Sequence, residues 1–422
     1  MKPIGLYPWG KAEKALVPPF SDFSSRHSCH ILPPMKNNMI YRRFGKTALQ
    51  MPVLTCGGMR YQQSWEDLKT NGLDTEGQAN LEACIHQAIA HGINHIETAR
   101  GYGSSEYQLG LVLPSLPRDE IIVQTKIGPK DNEEDFLKTF DLSMKHLQLD
   151  YVDLLGVHGI NTPILLRKTL KGGTLKAIRK LQNEGRVRHV GFSTHGPTQT
   201  IVDAIETDEF SYVNLHWYYF DQCNWRAVEA ATQRDMGVFI ISPNDKGGKL
   251  YDPPQKLVNL CTPLSPMGFN SLFCLSHEQV HTISLGVAKP SDFDAHVAIL
   301  PQLADGAAVI EPILQRLHDE AVKRLGADWV NHWQERLPDT KDVPGNLPLY
   351  HILRMRNMAK AYDMEAYGKM RYNLLGNGGH WFPGAKVENV DWPALGKCLE
   401  GYAFAEQVPP YLREAHALFN AE

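Results

Sequence analysis

The stretch INHIETARGY, residues 93–102, decides the fold that this sequence predicts. A short apolar strand ends in the carboxylate of Glu97, and the phenol of Tyr102 follows five residues later, after Gly101. Parallel barrels build their sites at the carboxyl ends of their strands, where such polar side chains meet. Glu97 and Tyr102 are therefore the first functional candidates. The structural alternative is a buried ion pair at Glu97 and a tyrosine that only packs.

Outward from this strand, short apolar segments alternate with amphipathic helical segments over residues 39–300. This alternation predicts an α/β fold, a (β/α)8 TIM barrel. A doubly wound sheet is the alternative, but it requires a glycine fingerprint after the first strand. The segment there, GGMRYQ, does not fit GxGxxG, and GYGSSE at 101–106 lacks the third glycine. The eight predicted strands cover residues 53–56, 94–97, 121–125, 153–157, 188–192, 212–215, 237–241 and 281–285.

Two regions flank the predicted barrel. Residues 1–38 are proline-rich and have no helical or strand period, which predicts a disordered extension, a transit-like segment or an over-long gene model. Residues 39–300 form the barrel domain. Residues 301–422 have a helical pattern, and their methionines and aromatic residues are predicted to pack in a core.

The composition limits the classes of partner. The chain of 422 residues has a formal net charge of −4, so nothing indicates a nucleic-acid surface. No apolar run approaches the roughly 20 residues that cross a bilayer. The seven cysteines are scattered and form no CxxC, which favours a reducing compartment. We predict a cytoplasmic protein without nucleic-acid or membrane partners, a monomer or a weak oligomer.

Four polar side chains, Glu97, Tyr102, Lys126 and His158, lie at or just beyond the ends of three consecutive predicted strands. A phenol with a pKa of about 10 is a poor acid at neutral pH. An adjacent lysine ammonium favours proton release, and a carboxylate keeps that lysine charged and oriented. A histidine N–H can orient a carbonyl oxygen. Together the four groups form a general acid for carbonyl reduction, for which a cofactor must supply the hydride.

Residues Met39 to Leu300 resemble the aldo-keto reductase superfamily. INHIETARGYG (93–103) resembles its strand-two motif, and FDLSMKHLQLDYVDLLGVH (140–158) resembles its helix-three to strand-four signature. GRVRHVGFST (185–194) resembles the strand-five motif that ends in a Ser-Asn pair. The resemblance implies that Tyr102 is the proton donor, Lys126 its activator and His158 the residue that orients the substrate. Glu97 stands where the family usually has aspartate.

The resemblance also implies NADPH, bound across the barrel mouth without a Rossmann domain. Ile241 occupies the position of the usual stacking tyrosine, so Trp217 becomes the candidate for stacking on the nicotinamide. Lys289 is the candidate cation for a 2′-phosphate, although an exposed loop lysine is the alternative. The implied contacts are Ser193, Thr194 and Asn214 with the nicotinamide amide, Ser242, Asn244, Lys246 and Gly247 with the pyrophosphate, and Gly286 and Lys289 with the adenosine phosphate.

The C-terminal region resembles the ferredoxin-like tail of one branch of this superfamily, over MAKAYDMEAYGKMRYNLLGNGGHWFPGAK (358–386). After Cys274 only Cys398 remains, so a four-cysteine cluster cannot be built there. We predict no iron–sulfur cluster and no metal site. The tail is expected to cap the barrel mouth, with residues 250–280 forming one wall of the site. The histidines of the tail, at 351, 380 and 416, lack metal-ligand spacing and are predicted to be structural.

The sequence thus predicts an NADPH-dependent oxidoreductase that reduces an aldehyde or ketone, a small-molecule carbonyl substrate, to an alcohol. The alternative is a catalytically weak NADPH-binding redox sensor or regulatory protein. Glu97, the missing stacking tyrosine and the altered tail favour that alternative, whereas the complete set of Tyr102, Lys126 and His158 favours the enzyme. An iron–sulfur electron-transfer protein is a third reading, which a brown purified protein would support.

Overall fold

The computed structural model describes residues 38–68, 72–376 and 384–420. Eight parallel strands follow one another around a closed barrel, and the last pairs with the first. The predicted (β/α)8 barrel is confirmed, and each predicted strand lies within two residues of an observed one. The prediction for residues 1–38 concerns, apart from Asn38, residues outside those described.

A short antiparallel hairpin precedes the barrel, and the sequence analysis did not predict it. After its first strand the chain buries Phe44, which contacts Tyr212 with a ring separation of 5.7 Å. The adjoining turn bonds to Asp235, just before a barrel strand begins, so the hairpin closes the amino end of the barrel. The strands are β1 Tyr41–Arg43, β2 Gln50–Pro52, β3 Leu54–Gly57, β4 His95–Glu97, β5 Ile122–Ile127, β6 Val152–His158, β7 Val187–Ser193, β8 Tyr212–Leu215, β9 Gly237–Ile240 and β10 Thr282–Leu285.

Helices follow most barrel strands, and further helices form the C-terminal region. Three helices had no predicted counterpart: Pro163–Lys171, Gln255–Cys261 and Pro266–Leu275. The helices are α1 Thr75–Ala90, α2 Ser105–Gly110, α3 Glu133–Leu147, α4 Pro163–Lys171, α5 Gly173–Asn183, α6 Thr198–Ile205, α7 Trp225–Gln233, α8 Gln255–Cys261, α9 Pro266–Leu275, α10 Asp292–Val297, α11 Gly306–Leu325, α12 Ala327–His332, α13 Leu349–Tyr362, α14 Glu365–Tyr372, α15 Trp392–Cys398 and α16 Val408–Phe419.

Helix α3 shows how local sequence sets these boundaries. The Asn132 side chain caps its first turn by accepting a 2.8 Å bond from the Asp135 amide. Acidic residues occupy the first turn and basic residues the last, as the helix dipole favours. Phe136 and Phe140 are fully buried, one turn apart on a single face. The capping and the apolar spacing therefore place α3 against the outside of the barrel, as predicted.

The barrel interior is packed so closely that some positions have no room for a side chain larger than that of glycine. A Cβ atom added at Gly191 would lie 2.5 Å from three ring atoms of the buried Tyr212. We expect Gly191→Ala to lower the free energy of unfolding by about 1–3 kcal/mol through overpacking, measured by urea denaturation. Gly396→Ala is the control, because it lies in helix α15 with no atom within 4 Å of an added Cβ. The free energy of unfolding of Gly396→Ala should rise by up to about 1 kcal/mol. If the two variants change the free energy of unfolding equally, the packing argument is contradicted.

The C-terminal region packs against the barrel through α11, which contacts α8 and α9. The stretch Asp292–Leu325 has an apolar window long enough to cross a membrane by length and composition alone. In the structure it bends between α10 and α11, and Ile310, Ile313 and Leu317 of α11 are buried inside the protein. Since helices of protein cores pass the same test, this one stretch is weak evidence for a membrane span.

Candidate active site

A cavity of about 490 Å³ opens at the carboxyl ends of the barrel strands. The four side chains that the sequence analysis singled out for catalysis all line it: Glu97, Tyr102, Lys126 and His158. They come from the ends of β4, β5 and β6 and from the loop after β4. Adjacent parallel strands end at the same edge, which brings together residues up to 61 positions apart in the sequence.

Lys126 is the centre of this cluster, and it is almost completely buried. Its Nζ atom forms an ion pair with the buried carboxylate of Glu97 and donates a 2.7 Å hydrogen bond to the Thr98 carbonyl. The same Nζ lies 4.6 Å from the centre of the Tyr102 ring. Glu97, one methylene longer than aspartate, therefore still reaches the lysine. The result is an ion pair held under the ring of the half-buried Tyr102.

Burial dominates the acid–base properties of these groups. It raises the pKa of the Tyr102 phenol well above 10 and lowers the pKa of the Lys126 ammonium, which the touching Glu97 carboxylate opposes. Loss of solvent around the phenol thus has a larger effect on its pKa than the lysine beneath the ring, and the role of Lys126 in easing proton release stays a prediction. Tyr102 therefore keeps its proton at neutral pH.

His158 faces Tyr102 edge-on, with ring centres 5.8 Å apart and planes at 85°. Burial lowers its pKa to about 3, and the positive charges of Lys126 and Lys246 contribute further. The imidazole is therefore neutral at physiological pH and has one N–H to donate. A neutral donor beside a protonated phenol can hold a carbonyl oxygen between them.

The predicted cofactor contacts divide into two groups. Five of them line the cavity: Ser193, Ser242, Asn244, Lys246 and Gly286. The other four do not: Thr194, Asn214, Gly247 and Lys289. An extended ligand would thus meet the loops after β7, β9 and β10, as the resemblance implies.

The structure explains why each of these four residues does not line the cavity. Thr194 turns its hydroxyl away and donates a 2.8 Å bond to the Ile160 carbonyl. Asn214 is fully buried beside Ser193, its partner in the β7–β8 register. Gly247 packs so tightly on the preceding loop that a Cβ atom would lie 1.9 Å from a carbonyl oxygen. Lys289 is exposed, which agrees with the alternative of a loop lysine.

Trp217 is not placed to stack on a ligand in the cavity. Its ring is buried on the other side of the strand end, 5.0 Å from Phe273 and 4.9 Å from Trp225. Ile241, at the position where the family has a tyrosine, does line the cavity. At this position of the cavity wall, the aliphatic side chain of Ile241 supplies the apolar surface.

Sequence reasoning missed a charged bridge beside the cavity. Arg60, just after β3, lies 3.5 Å from the carboxylate of Asp245 and 4.8 Å from the ring of Tyr251. Asp245 also pairs with Arg371 of the C-terminal helix α14. The position of Arg60 after a strand end was a usable signal. The pairing with Arg371, 126 residues away from Asp245, had no local signature.

The C-terminal region supports the cavity wall from behind. Tyr367 of α14 donates a 2.6 Å hydrogen bond to the backbone carbonyl of Lys246. Tyr251 and Met267, from the predicted wall segment 250–280, line the cavity, but no described residue after Leu300 does. The expected wall is thus found in part, and the tail's contribution is to hold a loop. Among the described residues no His, Cys, Asp and Glu side chains are grouped so that they could hold a metal ion.

The fold and this site define a class: a (β/α)8 barrel whose polar cluster of carboxylate, lysine, tyrosine and histidine lies at the strand ends. Residues 53–245 match the sequence model of the aldo/keto reductase family. This part of the barrel belongs to the aldo-keto reductase superfamily. The predicted resemblance is confirmed at the level of the superfamily, while the likeness of the tail to a ferredoxin stays a prediction.

Individual relatives match part of the chain. L-galactose dehydrogenase of Arabidopsis thaliana is 35% identical over 31% of this chain and 40% of its own length. L-glyceraldehyde 3-phosphate reductase of Escherichia coli K12 is 28% identical over 40% of this chain and 49% of its own length. The chain thus spans less than half the length of these relatives. An aldo-keto reductase from Klebsiella pneumoniae solved in complex with NADPH shares the fold, with a TM-score of 0.51, 18% identity, and coverage of 64% of this chain and 95% of that one.

Proposed function

We propose that this protein is an NADPH-dependent oxidoreductase that reduces an aldehyde or ketone to an alcohol. The observation that carries the proposal is the buried pair of Lys126 and Glu97 beneath the Tyr102 ring, with His158 at the ring's edge, on the wall of one cavity. This set of groups can perform general acid catalysis of carbonyl reduction, with Tyr102 as the proton donor. The six described cysteines are all free, which supports the cytoplasm as the proposed compartment.

The cavity fits a nicotinamide nucleotide. The amide of Asn214 is fully buried, and neither its oxygen nor its nitrogen has a hydrogen-bond partner among the described residues. A carboxamide offers one acceptor and two donors, so in the cavity it can bond to the Ser193 hydroxyl. To bond to Asn214 as well, which does not line the cavity, it needs the Asn214 side chain to turn toward it. Lys246 and Arg60 supply positive charge for the phosphates. The NADPH complex of the Klebsiella pneumoniae relative also supports this cofactor.

In the proposed mechanism the hydride that the carbonyl carbon receives would come from NADPH, when this cofactor is bound. The Tyr102 hydroxyl donates its proton to the carbonyl oxygen as charge develops there, and the resulting phenolate is stabilised by the ammonium of Lys126. Glu97 holds that ammonium in position. The neutral His158 donates a hydrogen bond that orients the carbonyl oxygen. Tyr102 then regains a proton from solvent, which restores the starting state.

The test is a titration of the purified protein with NADPH and with NADH, followed through the fluorescence of the nucleotide itself. We expect NADPH to bind and to be oxidised when small aldehydes or ketones are added, with equal amounts of alcohol formed. If neither NADPH nor NADH binds, the proposal is refuted. Binding without turnover on a broad carbonyl panel would instead support the redox-sensor alternative.

The pH dependence of NADPH affinity should report the charge of Lys246. Burial, together with the nearby Arg371 charge, lowers the pKa of this lysine to about 7, although Asp245 opposes the shift. A bound phosphate favours the protonated form and raises that pKa. NADPH affinity should therefore be flat just below pH 7 and fall by up to about tenfold per pH unit above it, until the pKa of the complex is reached. Dissociation constants measured between pH 7 and 9 test this.

The matched variants for this pH prediction lie in one loop. Lys246→Met should bind NADPH more weakly and with a flat pH profile. Lys249→Met should keep the wild-type profile, because the Lys249 ammonium pairs with Asp252, which holds its pKa above 10.5. The prediction fails if the wild-type affinity is constant from pH 7 to 9. Without a ligand, Lys246 has a lower pKa in the folded protein than in the unfolded chain. Above pH 7 the unfolded chain therefore binds more protons at this lysine than the folded protein does, and this group makes the stability of the fold rise with pH.

A further inference from the structure

A chain of three hydrogen-bonded side chains runs inward from the cavity wall. His195, which follows β7, lines the cavity, and its Nδ1 atom lies 2.5 Å from Nε2 of His216. The Nδ1 atom of His216 contacts the hydroxyl of Tyr218. That hydroxyl donates a 2.6 Å hydrogen bond to the carbonyl of Ile241. His216 and Tyr218 are buried, so this chain begins at the cavity and ends inside the protein.

The far end of the chain determines where the protons lie. The Ile241 carbonyl can only accept, so the Tyr218 hydroxyl points its hydrogen toward it. The phenolic oxygen then accepts from Nδ1–H of His216, and the same Nδ1 lies 3.3 Å from the Ile241 carbonyl, which again requires a hydrogen there. His216 therefore has a bare Nε2, which accepts from Nδ1–H of His195. A neutral His195 is left with a bare Nε2.

Charge and packing hold His195 in this state. Burial lowers the pKa of His195 and of His216 far below 6.5, and the charge of Lys246 adds to the effect, so both rings are neutral at physiological pH. The two rings stack at 21° with centres 4.8 Å apart. The backbone N–H of His195 is anchored by a 2.7 Å bond to the Asn161 side chain. Among the described residues, the Nε2 atom of His195 has no hydrogen-bond partner.

We propose that His195 is a ligand-binding residue of this cavity, a fixed hydrogen-bond acceptor that selects a neutral N–H or O–H donor on the ligand. This inference rests on the proposed function and assigns a new contact to it. The neighbouring Thr194 is not an acceptor for the ligand, because it does not line the cavity and its hydroxyl donates to the Ile160 carbonyl and accepts from the Gly196 amide. Lys126, Lys246 and the protonated Tyr102 present hydrogens to the same cavity. A carboxylate or phosphate oxygen would meet the lone pair of His195 and be disfavoured at that point.

Two ligand groups have the required chemistry: the carboxamide N–H of the nicotinamide and a hydroxyl of the carbonyl substrate. The first measurement does not depend on either ligand. Nitrogen-15 NMR of ligand-free protein labelled in its histidines should show His195 neutral, with hydrogen on Nδ1 and none on Nε2, the resonances being assigned with His195→Gln. A hydrogen on Nε2, or a charged ring, would overturn the proposal even if NADPH binds. If NADPH does not bind, the proposed function is contradicted instead.

The second measurement shows which of the two ligands, the cofactor or the substrate, is the source of the hydrogen bond to His195. His195→Leu removes the acceptor, and we expect a loss of roughly tenfold in the interaction that uses it, whereas His195→Gln keeps an acceptor and most of the affinity. If the cofactor is the source, the loss appears with NADP⁺ but not with its 3-acetylpyridine analogue, which has no amide N–H. If the substrate is the source, kcat/KM falls for a hydroxyketone but not for its deoxy counterpart. Unchanged values throughout, or equal losses for each parent and its analogue, would overturn the proposal.

Discussion

Replacing Tyr102 with phenylalanine should lower the rate of NADPH-dependent carbonyl reduction by about 10²–10⁴-fold, the usual contribution of a general acid. The ring stays, so its packing against Lys126 and His158 stays as well. Only the hydroxyl that would deliver the proton is lost. Because that hydroxyl has no part in the phosphate or amide contacts proposed for the cofactor, the dissociation constant of NADPH should change by no more than about twofold, or 0.4 kcal/mol.

Tyr107→Phe is the matched control for this experiment. Tyr107 lies five residues further along in helix α2, is exposed, and does not line the cavity. Its variant should retain full activity and full affinity. Single-turnover rates and nucleotide fluorescence, measured for both variants, separate chemistry from binding. Wild-type activity in Tyr102→Phe would remove Tyr102 from the role of acid, and a comparable loss in Tyr107→Phe would indicate a general effect on folding.

The barrel could be predicted from sequence because its signals are local. Each strand is a short, largely apolar run, and β4, β6 and β7 end in polar residues. Helix α3 has its cap, charges and apolar spacing within 16 residues, from Asn132 to Leu147. The amino-terminal hairpin escaped prediction because its strands have three residues each, too few to show an alternation. The helices between 250 and 280 were missed because α9 is buried on nearly all sides, which removes the periodic contrast between polar and apolar faces.

The candidate site could be predicted only where side chains follow strand ends. Glu97, Lys126 and His158 satisfy that rule, and parallel topology then brings them together. His195 lies just beyond the end of β7, but its significance depends on His216, 21 residues away, and on the direction of a hydrogen-bond chain. The rise in the pKa of Tyr102 could not be predicted from the sequence for a related reason. Sequence indicates which charge is near, but not how completely solvent is excluded.

Replacing Arg354 with methionine should have the largest effect on stability, about 3–5 kcal/mol, because it leaves the buried carboxylate of Asp221 without its cationic partner. Arg354 of α13 lies 3.3 Å from Asp221, and their side chains are only 4% and 3% exposed. The guanidinium also donates to the Phe220 carbonyl at 3.0 Å and to the Tyr367 hydroxyl at 3.2 Å. This pair therefore joins the C-terminal region to the loop after β8. Urea denaturation followed by tryptophan fluorescence measures the loss.

Three further variants determine whether the loss comes from the buried charge: Lys369→Met, Asp221→Asn alone, and Asp221→Asn combined with Arg354→Met. Lys369→Met removes a cation from the neighbouring helix α14, but the Lys369–Glu365 pair is about half exposed, so the change should stay below about 1 kcal/mol. Adding Asp221→Asn to Arg354→Met removes the unpaired carboxylate, and the double variant should recover part of the lost stability. If the double variant is as unstable as the sum of the single ones, the two charges do not interact across this junction. The C-terminal region would then be held by its apolar contacts alone, and Tyr367, which bonds to both Arg354 and the Lys246 loop, would remain the link to the cavity.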